Sequence, residues 1–148
     1  MTTIAYCNGM IATDGYITAG QTIVDDQREK MIERDGVRFF LSGATSDWQL
    51  FVDTYFGDRI TPRAVDCAAL VVREGSVSCV GVDPDNAMWE CPVPSDRCYA
   101  IGSGSDHALT AMDMGASAFR AVEMAARRCT TTGGKIRVYE VNPEGRKA

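Results

Sequence analysis

Three dipeptides, Asn8-Gly9, Asp35-Gly36 and Glu74-Gly75, each stand between two short runs of β-branched and apolar residues. A two-residue connection of this kind closes an antiparallel hairpin, because the favoured turn needs positive φ, which glycine adopts without steric cost. The flanking runs are thereby read as paired strands: Thr2–Cys7 with Met10–Thr13, Lys30–Arg34 with Val37–Leu41, and Cys67–Arg73 with Ser76–Val82. Parallel partners would need crossovers of a dozen or more residues. Much of the chain is committed to antiparallel sheet.

The remaining segments follow from periodicity. Ala87–Cys91 and Cys98–Ile101 read as further strands and Lys135–Val141 as the last one, while Gly15–Asp26, with Gly20, reads as loop. Ala44–Tyr55 places Trp48, Phe51, Val52 and Tyr55 at helical spacing. Pro62 bars a long helix behind it, unless one begins there. A second helical region opens at Ser105 and is divided by Gly115, with Ser117 set to cap its latter half. There Ala118, Ala121, Val122, Ala125 and Cys129 line one face, and Thr132-Gly133-Gly134 ends the helix. The order strands, helix, strands, helices, strand predicts an α+β chain. Its two antiparallel sheets carry helices outside, an α/β sandwich in place of alternating βαβ units. No repeat or linker divides residues 1–148, so one domain is expected.

Composition excludes several functions. A net charge of −5 and a pI near 4.8, without a basic stripe, argue against nucleic-acid binding. No apolar run approaches the roughly 20 residues of a membrane span, and no leader pattern is seen, so no membrane contact and a cytoplasmic location are expected. The six cysteines form no C-x-x-C pair and sit mostly in apolar strand-like runs, which predicts buried reduced thiols. His107 is the one histidine, so no metal site is expected, and it reads as a helix-face residue. In the stretch Ile101–Ala108 the third glycine of a dinucleotide turn is replaced by His107, and no P-loop lysine follows. No cofactor is expected.

Thr2 is the more informative feature. Removal of Met1 would leave a hydroxyl and an α-amine on one residue. Such an amine titrates at roughly 7.7–8.0 and can serve as general base for its own side chain. The chemistry also needs a nearby cation and a backbone N–H aimed at the oxyanion.

Thr2-Thr3-Ile4, Asp14-Gly15, Thr18, Gly20, Lys30, the run Leu41–Asp47, Ala100–Gly104 and Thr132–Gly134 follow one another in an order that resembles the β-type proteasome subunits. The stretch Asn8–Thr22 is similar to the opening hairpin and loop of the bacterial HslV peptidase. The resemblance covers nearly the whole chain and implies an N-terminal nucleophile hydrolase with a four-layer α/β/β/α fold. It implies Thr2 as nucleophile, Lys30 as the lysine that lowers its pKa, and Asp14 as the acid paired to that lysine. Gly43 matches the glycine whose N–H faces the oxyanion, and Ser103 the serine bonded to the amine. Thr18 matches a contact to substrate backbone, while Ile17, Ile32, Leu41 and Thr45 would line a side-chain pocket.

Each of these residues has an ordinary explanation when taken alone. Asp14 and Thr18 can build a turn, Lys30 can be a solvated strand-end lysine, Gly43 can be punctuation, and Ser103 can cap a helix. The chain also departs from the pattern it resembles. Cys129 stands where an aspartate is usual, and the connection Phe56–Asp66 is too short for the family's second long helix, which shortens one helical layer. Two readings stay open. One is a threonine-type peptidase or amidohydrolase acting on peptide or protein. The other is a catalytically silent copy of the fold serving as an assembly or interaction module. Either way a homo-oligomer, a ring or an open spiral, is expected, and an ATP-dependent unfoldase partner is left open.

Overall fold

The turn chemistry is realised at all three hairpins. Asn8 and Gly9, Asp35 and Gly36, and Glu74 and Gly75 have φ values of 51° and 78°, 53° and 78°, and 51° and 77°. Two successive positive φ angles match the right-handed twist of the strands they join. The computed structural model describes residues 2–57, 65–85 and 87–143. In chain order its strands are β1 (Thr3–Cys7), β2 (Met10–Thr13), β3 (Ile17–Ala19), β4 (Thr22–Asp25), β5 (Met31–Arg34) and β6 (Val37–Gly43). Helix α1 (Trp48–Tyr55) follows a 3-10 turn at Thr45–Asp47. Then come β7 (Cys67–Arg73), β8 (Ser76–Val82), β9 (Met88–Val93), β10 (Tyr99–Gly102), α2 (Ser105–Asp113), α3 (Ala118–Arg128) and β11 (Arg137–Glu140).

The strands form a sheet of order β10-β1-β2-β11, a second of order β5-β6-β7-β8-β9, and the separate hairpin β3-β4; every pairing is antiparallel. The expected α+β class with antiparallel sheets is borne out. Alternation along the strands sorts their side chains to opposite faces. Ala5, Cys7, Ala12 and Ala100 pack against Ala108, Ala121, Val122 and Ala125 of α2 and α3. Ile4, Tyr6 and Ile11 instead meet Phe40, Leu70, Val72 and Cys79 of the five-stranded sheet. Phe39, Leu41, Ala69, Val71 and Val80 lie beneath Trp48, Phe51 and Val52 of α1. Small alanines on the first face let two helices lie close to the sheet that carries the N-terminal strand.

The helical breaks fall where the sequence put them. Gly115 has φ +100°, and the Ser117 hydroxyl accepts from the Arg120 N–H at 3.2 Å, capping α3. Two expectations are corrected. Gly15–Asp26 is not loop throughout, because it contains the β3-β4 hairpin, whose Ile23 and Val24 are exposed and bury no face that would mark them as strand. The cysteines are not all reduced and buried: Cys7 and Cys98 are joined by a disulfide, Cys91 is exposed and Cys129 half-buried. The bridge follows from register, since Thr3↔Gly102 through Tyr6↔Tyr99 brings the next two residues face to face with Cα atoms 4.4 Å apart. Pro92 lies within β9, which is tolerated because β9 is an edge strand.

Among the described residues no helix is long and apolar enough to cross a membrane. Met1, Pro62 and most of the Phe56–Asp66 connection lie outside the described residues, as do Arg146 and Lys147.

Candidate active site

The chain enters β1 through buried residues. Thr2 is 2 % exposed, and Asp14 and Lys30 are fully buried beside it. Lys30 Nζ donates to Thr2 Oγ1 at 2.9 Å and to Asp14 Oδ1 at 2.7 Å. The solvated strand-end reading of Lys30 is therefore overturned: the residue precedes β5, and its carbonyl accepts from Leu41 N–H of β6 at 2.9 Å, which turns the side chain inward. Burial pushes the Lys30 ammonium below the ordinary lysine range, with Asp14 pulling it back and Arg28 adding to the fall. An ammonium held this way favours the deprotonated state of the hydroxyl it touches.

Asp14 gathers the surrounding backbone. Its Oδ1 accepts from Thr3 N–H at 3.2 Å as well as from Lys30, and its Oδ2 accepts from Gly133 N–H at 3.0 Å and Tyr16 N–H at 3.4 Å. The buried carboxylate is thus fully satisfied and fixes three chain segments. A methyl group on Gly133 would run into the Tyr16 ring, so glycine is required there. Thr132 packs alongside, its Oγ1 2.8 Å from Thr3 Oγ1.

On the solvent side Ser103 meets the Thr2 nitrogen. Thr2 N–H donates to Ser103 Oγ at 3.2 Å. The Ser103 hydroxyl is also 2.9 Å from Thr131 Oγ1, donates to the Thr2 carbonyl at 3.4 Å, and accepts from the Cys129 thiol at 3.5 Å. It does not cap α2, whose N-cap is Gly104. Burial alone would push the Cys129 thiol up, but hydrogen bonds from Thr131, Ser103 and Thr132 outweigh it and bring the pKa down to about 7.

The other expected residues lie on β3, β5, β6 and the turn after β6. Gly43 ends β6 with φ +99°, pressed so close to the Asp66 carbonyl that a side chain would collide. Ile17 and Ile32 are half-buried against the α1 cluster, Thr18 and Thr45 are half-buried, and Leu41 is wholly buried in that cluster. Leu41 therefore presents no surface of its own to a substrate. Thr2, Asp14, Lys30 and Ser103 are brought together by direct bonds, whereas no direct bond ties Gly43, Ile17, Thr18, Ile32 or Thr45 to Thr2. Thr131 was missed as a site residue. Its only sequence signal is its place inside the Thr130–Thr132 run ahead of Gly133-Gly134. Among the described residues no cluster of His, Cys, Asp or Glu could hold a metal ion.

No family model matches the sequence, and no curated protein matches it. Solved structures do. Thiobacillus denitrificans BPH in complex with epoxomicin is similar over 96% of this chain and 99% of its own, with a TM-score of 0.64 and 20% identity. A second structure of Thiobacillus denitrificans BPH gives a TM-score of 0.62 at 20% identity, covering 97% of this chain and 99% of its own. The eukaryotic HslV of Trypanosoma brucei gives 0.67 at 16% identity, covering 94% and 98%. The fold of this chain is that of the HslV and BPH structures.

Proposed function

We propose that this chain is an N-terminal-threonine hydrolase that cleaves peptide or amide bonds after release of the residue before Thr2. The observation that carries the reading is the buried Lys30 ammonium 2.9 Å from Thr2 Oγ1, with Ser103 Oγ 3.2 Å from the Thr2 nitrogen. Once freed, the Thr2 α-amine takes the proton of its own hydroxyl as Oγ1 attacks the substrate carbonyl. Lys30, held by Asp14, stabilises the developing alkoxide, and the Gly43 N–H serves the oxyanion. The leaving amine takes that proton, and water then releases the acyl group from Oγ1 with the α-amine again as base. No metal or organic cofactor enters this sequence. Thr18 would hold substrate backbone, and Ile17, Ile32 and Thr45 would line the pocket.

In this reading residues 1–148 form one domain of four layers, α2 and α3, two sheets and α1, located in the cytoplasm and assembled as a homo-oligomer. One of the BPH structures carries epoxomicin, which supplies a probe. The test is hydrolysis of a fluorogenic peptide by protein whose chain starts at Thr2, confirmed by intact mass. Activity lost in Thr2→Ala, together with an epoxomicin-dependent rise in melting temperature that the variant lacks, supports the reading. Inactive wild-type protein that epoxomicin leaves unchanged would favour the silent-module alternative, to which the cysteine at position 129 already lends some weight.

A further inference from the structure

The Ser103 hydroxyl has one proton and several neighbours that compete for it. With Cys129 as a thiol, the S–H donates to Ser103 Oγ at 3.5 Å and occupies a lone pair, and the Ser103 proton turns toward Thr131 or the Thr2 carbonyl. With Cys129 as a thiolate, the sulfur becomes an acceptor. The Ser103 proton then points to Sγ, and the lone pairs of Oγ face the Thr2 nitrogen 3.2 Å away. Thr131 Oγ1, 3.3 Å from Cys129 Sγ, completes a triangle of three side chains around this one proton.

We propose that Cys129, acting through Ser103, is a positioning residue for the Thr2 amine: its thiolate takes the Ser103 hydroxyl proton instead of donating to Oγ, and so strengthens the bond that Ser103 already accepts from the Thr2 N–H. An amine so held keeps its lone pair for its own Oγ1, and the ammonium formed during attack is stabilised. The inference rests on the hydrolase reading given above. The hydrogen bonds that draw the thiol down to about 7 make the switch accessible near neutral pH. Among the described residues, the charged groups tied to this network are the Thr2 amine once freed, the Lys30–Asp14 pair bonded to Thr2, and Arg128, the last residue of α3 and the neighbour of Cys129 in sequence. His107 of α2 lines the same surface hollow as Arg128. A protonated Thr2 amine would favour the thiolate, while Lys30 and Asp14 offset each other's charge through their own bond.

Two measurements test this. The first compares kcat and KM for a fluorogenic peptide, against pH, in wild type, Cys129→Ser, Cys129→Ala and Cys129→Asp, with melting curves as folding control. Expected is a kcat lower by roughly 10- to 100-fold in the serine and alanine variants at unchanged KM. Cys129→Asp should retain activity and extend it to lower pH, because a carboxylate keeps its charge several units below a thiol. The second follows thiolate absorbance as the difference between wild type and Cys129→Ser. The step should lie near 7 in uncleaved protein, and fall when the Thr2 amine is freed, because an ammonium nearby favours the thiolate. Unchanged kcat and pH profile in Cys129→Ala would overturn the inference. So would a thiolate step indifferent to cleavage before Thr2, and this second readout still decides if wild type proves inactive and the hydrolase reading fails.

Discussion

Lys30 holds a fully buried ammonium, and among the described residues its compensation is the set of bonds to Asp14 and Thr2. Removing one partner of such a pair leaves the other charge buried and unpaired, which costs about 3–5 kcal/mol. Lys30→Met should therefore be strongly destabilised in urea unfolding and inactive toward peptide. Adding Asp14→Ala to it should restore much of the stability while leaving activity at zero, because the uncompensated carboxylate is gone and the alkoxide still lacks its cation. Lys30→Arg should not rescue the rate, since a planar guanidinium cannot sit as a point charge between Thr2 Oγ1 and Asp14 Oδ1. A double variant no more stable than Lys30→Met would mean that the cost lies elsewhere. None of this was legible at position 30 itself. A lysine ahead of a short strand reads as solvated, and its burial is decided by β6 and by Asp14, far away in sequence. Asp14 was visible as a turn former, but its carboxylate serves Thr3, Gly133 and Lys30. The resemblance named these residues; local pattern did not. Thr131 escaped both, because its role depends on where β11's approach lays a loop beside Ser103.

At the scale of the element, the site depends on how β10 ends against β1. Gly102 has φ +99°, and a methyl group there would overlap the Thr2 carbonyl. Gly102→Ala should therefore displace Thr2 and abolish hydrolysis as well as lower the melting temperature. Gly57 gives the control. Its φ is +75°, and among the described residues no atom would come within 4 Å of an added methyl, so Gly57→Ala carries the backbone term, about 1 kcal/mol, and should keep full activity. Equal activity in the two alanine variants would deny that β10 positions Thr2. Ser117→Ala, by contrast, removes a cap and should cost about 1 kcal/mol by denaturant titration without touching the rate. The hairpins and this cap were legible because turn and cap chemistry are local: a few residues decide them. The β3-β4 hairpin was not, since β4 leaves Ile23 and Val24 exposed and shows no buried apolar face of its own. The Cys7–Cys98 bridge was hidden for the opposite reason, because it needs the register of two strands 91 residues apart.

For the whole molecule, the helical layer leaves unfinished apolar surface. Met114 is 85 % exposed, and Phe119 and Met124 stand out from α3. Shallow hollows between α2 and α3, lined by Ala111, Ala116 and Met124, run between them and are rimmed by Arg120, Glu123 and Arg127. Met114 and Met124 line one hollow with a charged rim, which is the anatomy of an interface, whereas isolated exposed apolar residues such as Phe119 need no partner. Subunits whose contacts are heterologous close into rings or continue as spirals, depending on whether the rotation between neighbours closes. The expected homo-oligomer should thus use this face. Met114→Glu combined with Met124→Glu should lower the mass seen by light scattering at micromolar concentration, while the melting temperature of the subunit falls little, because both side chains are exposed. A wild-type chain that scatters as a monomer at every concentration would remove the oligomer. An oligomer whose mass the double variant leaves unchanged would move the contact to another face, where exposed Trp89 of edge strand β9 lies beside Cys91 and Tyr99.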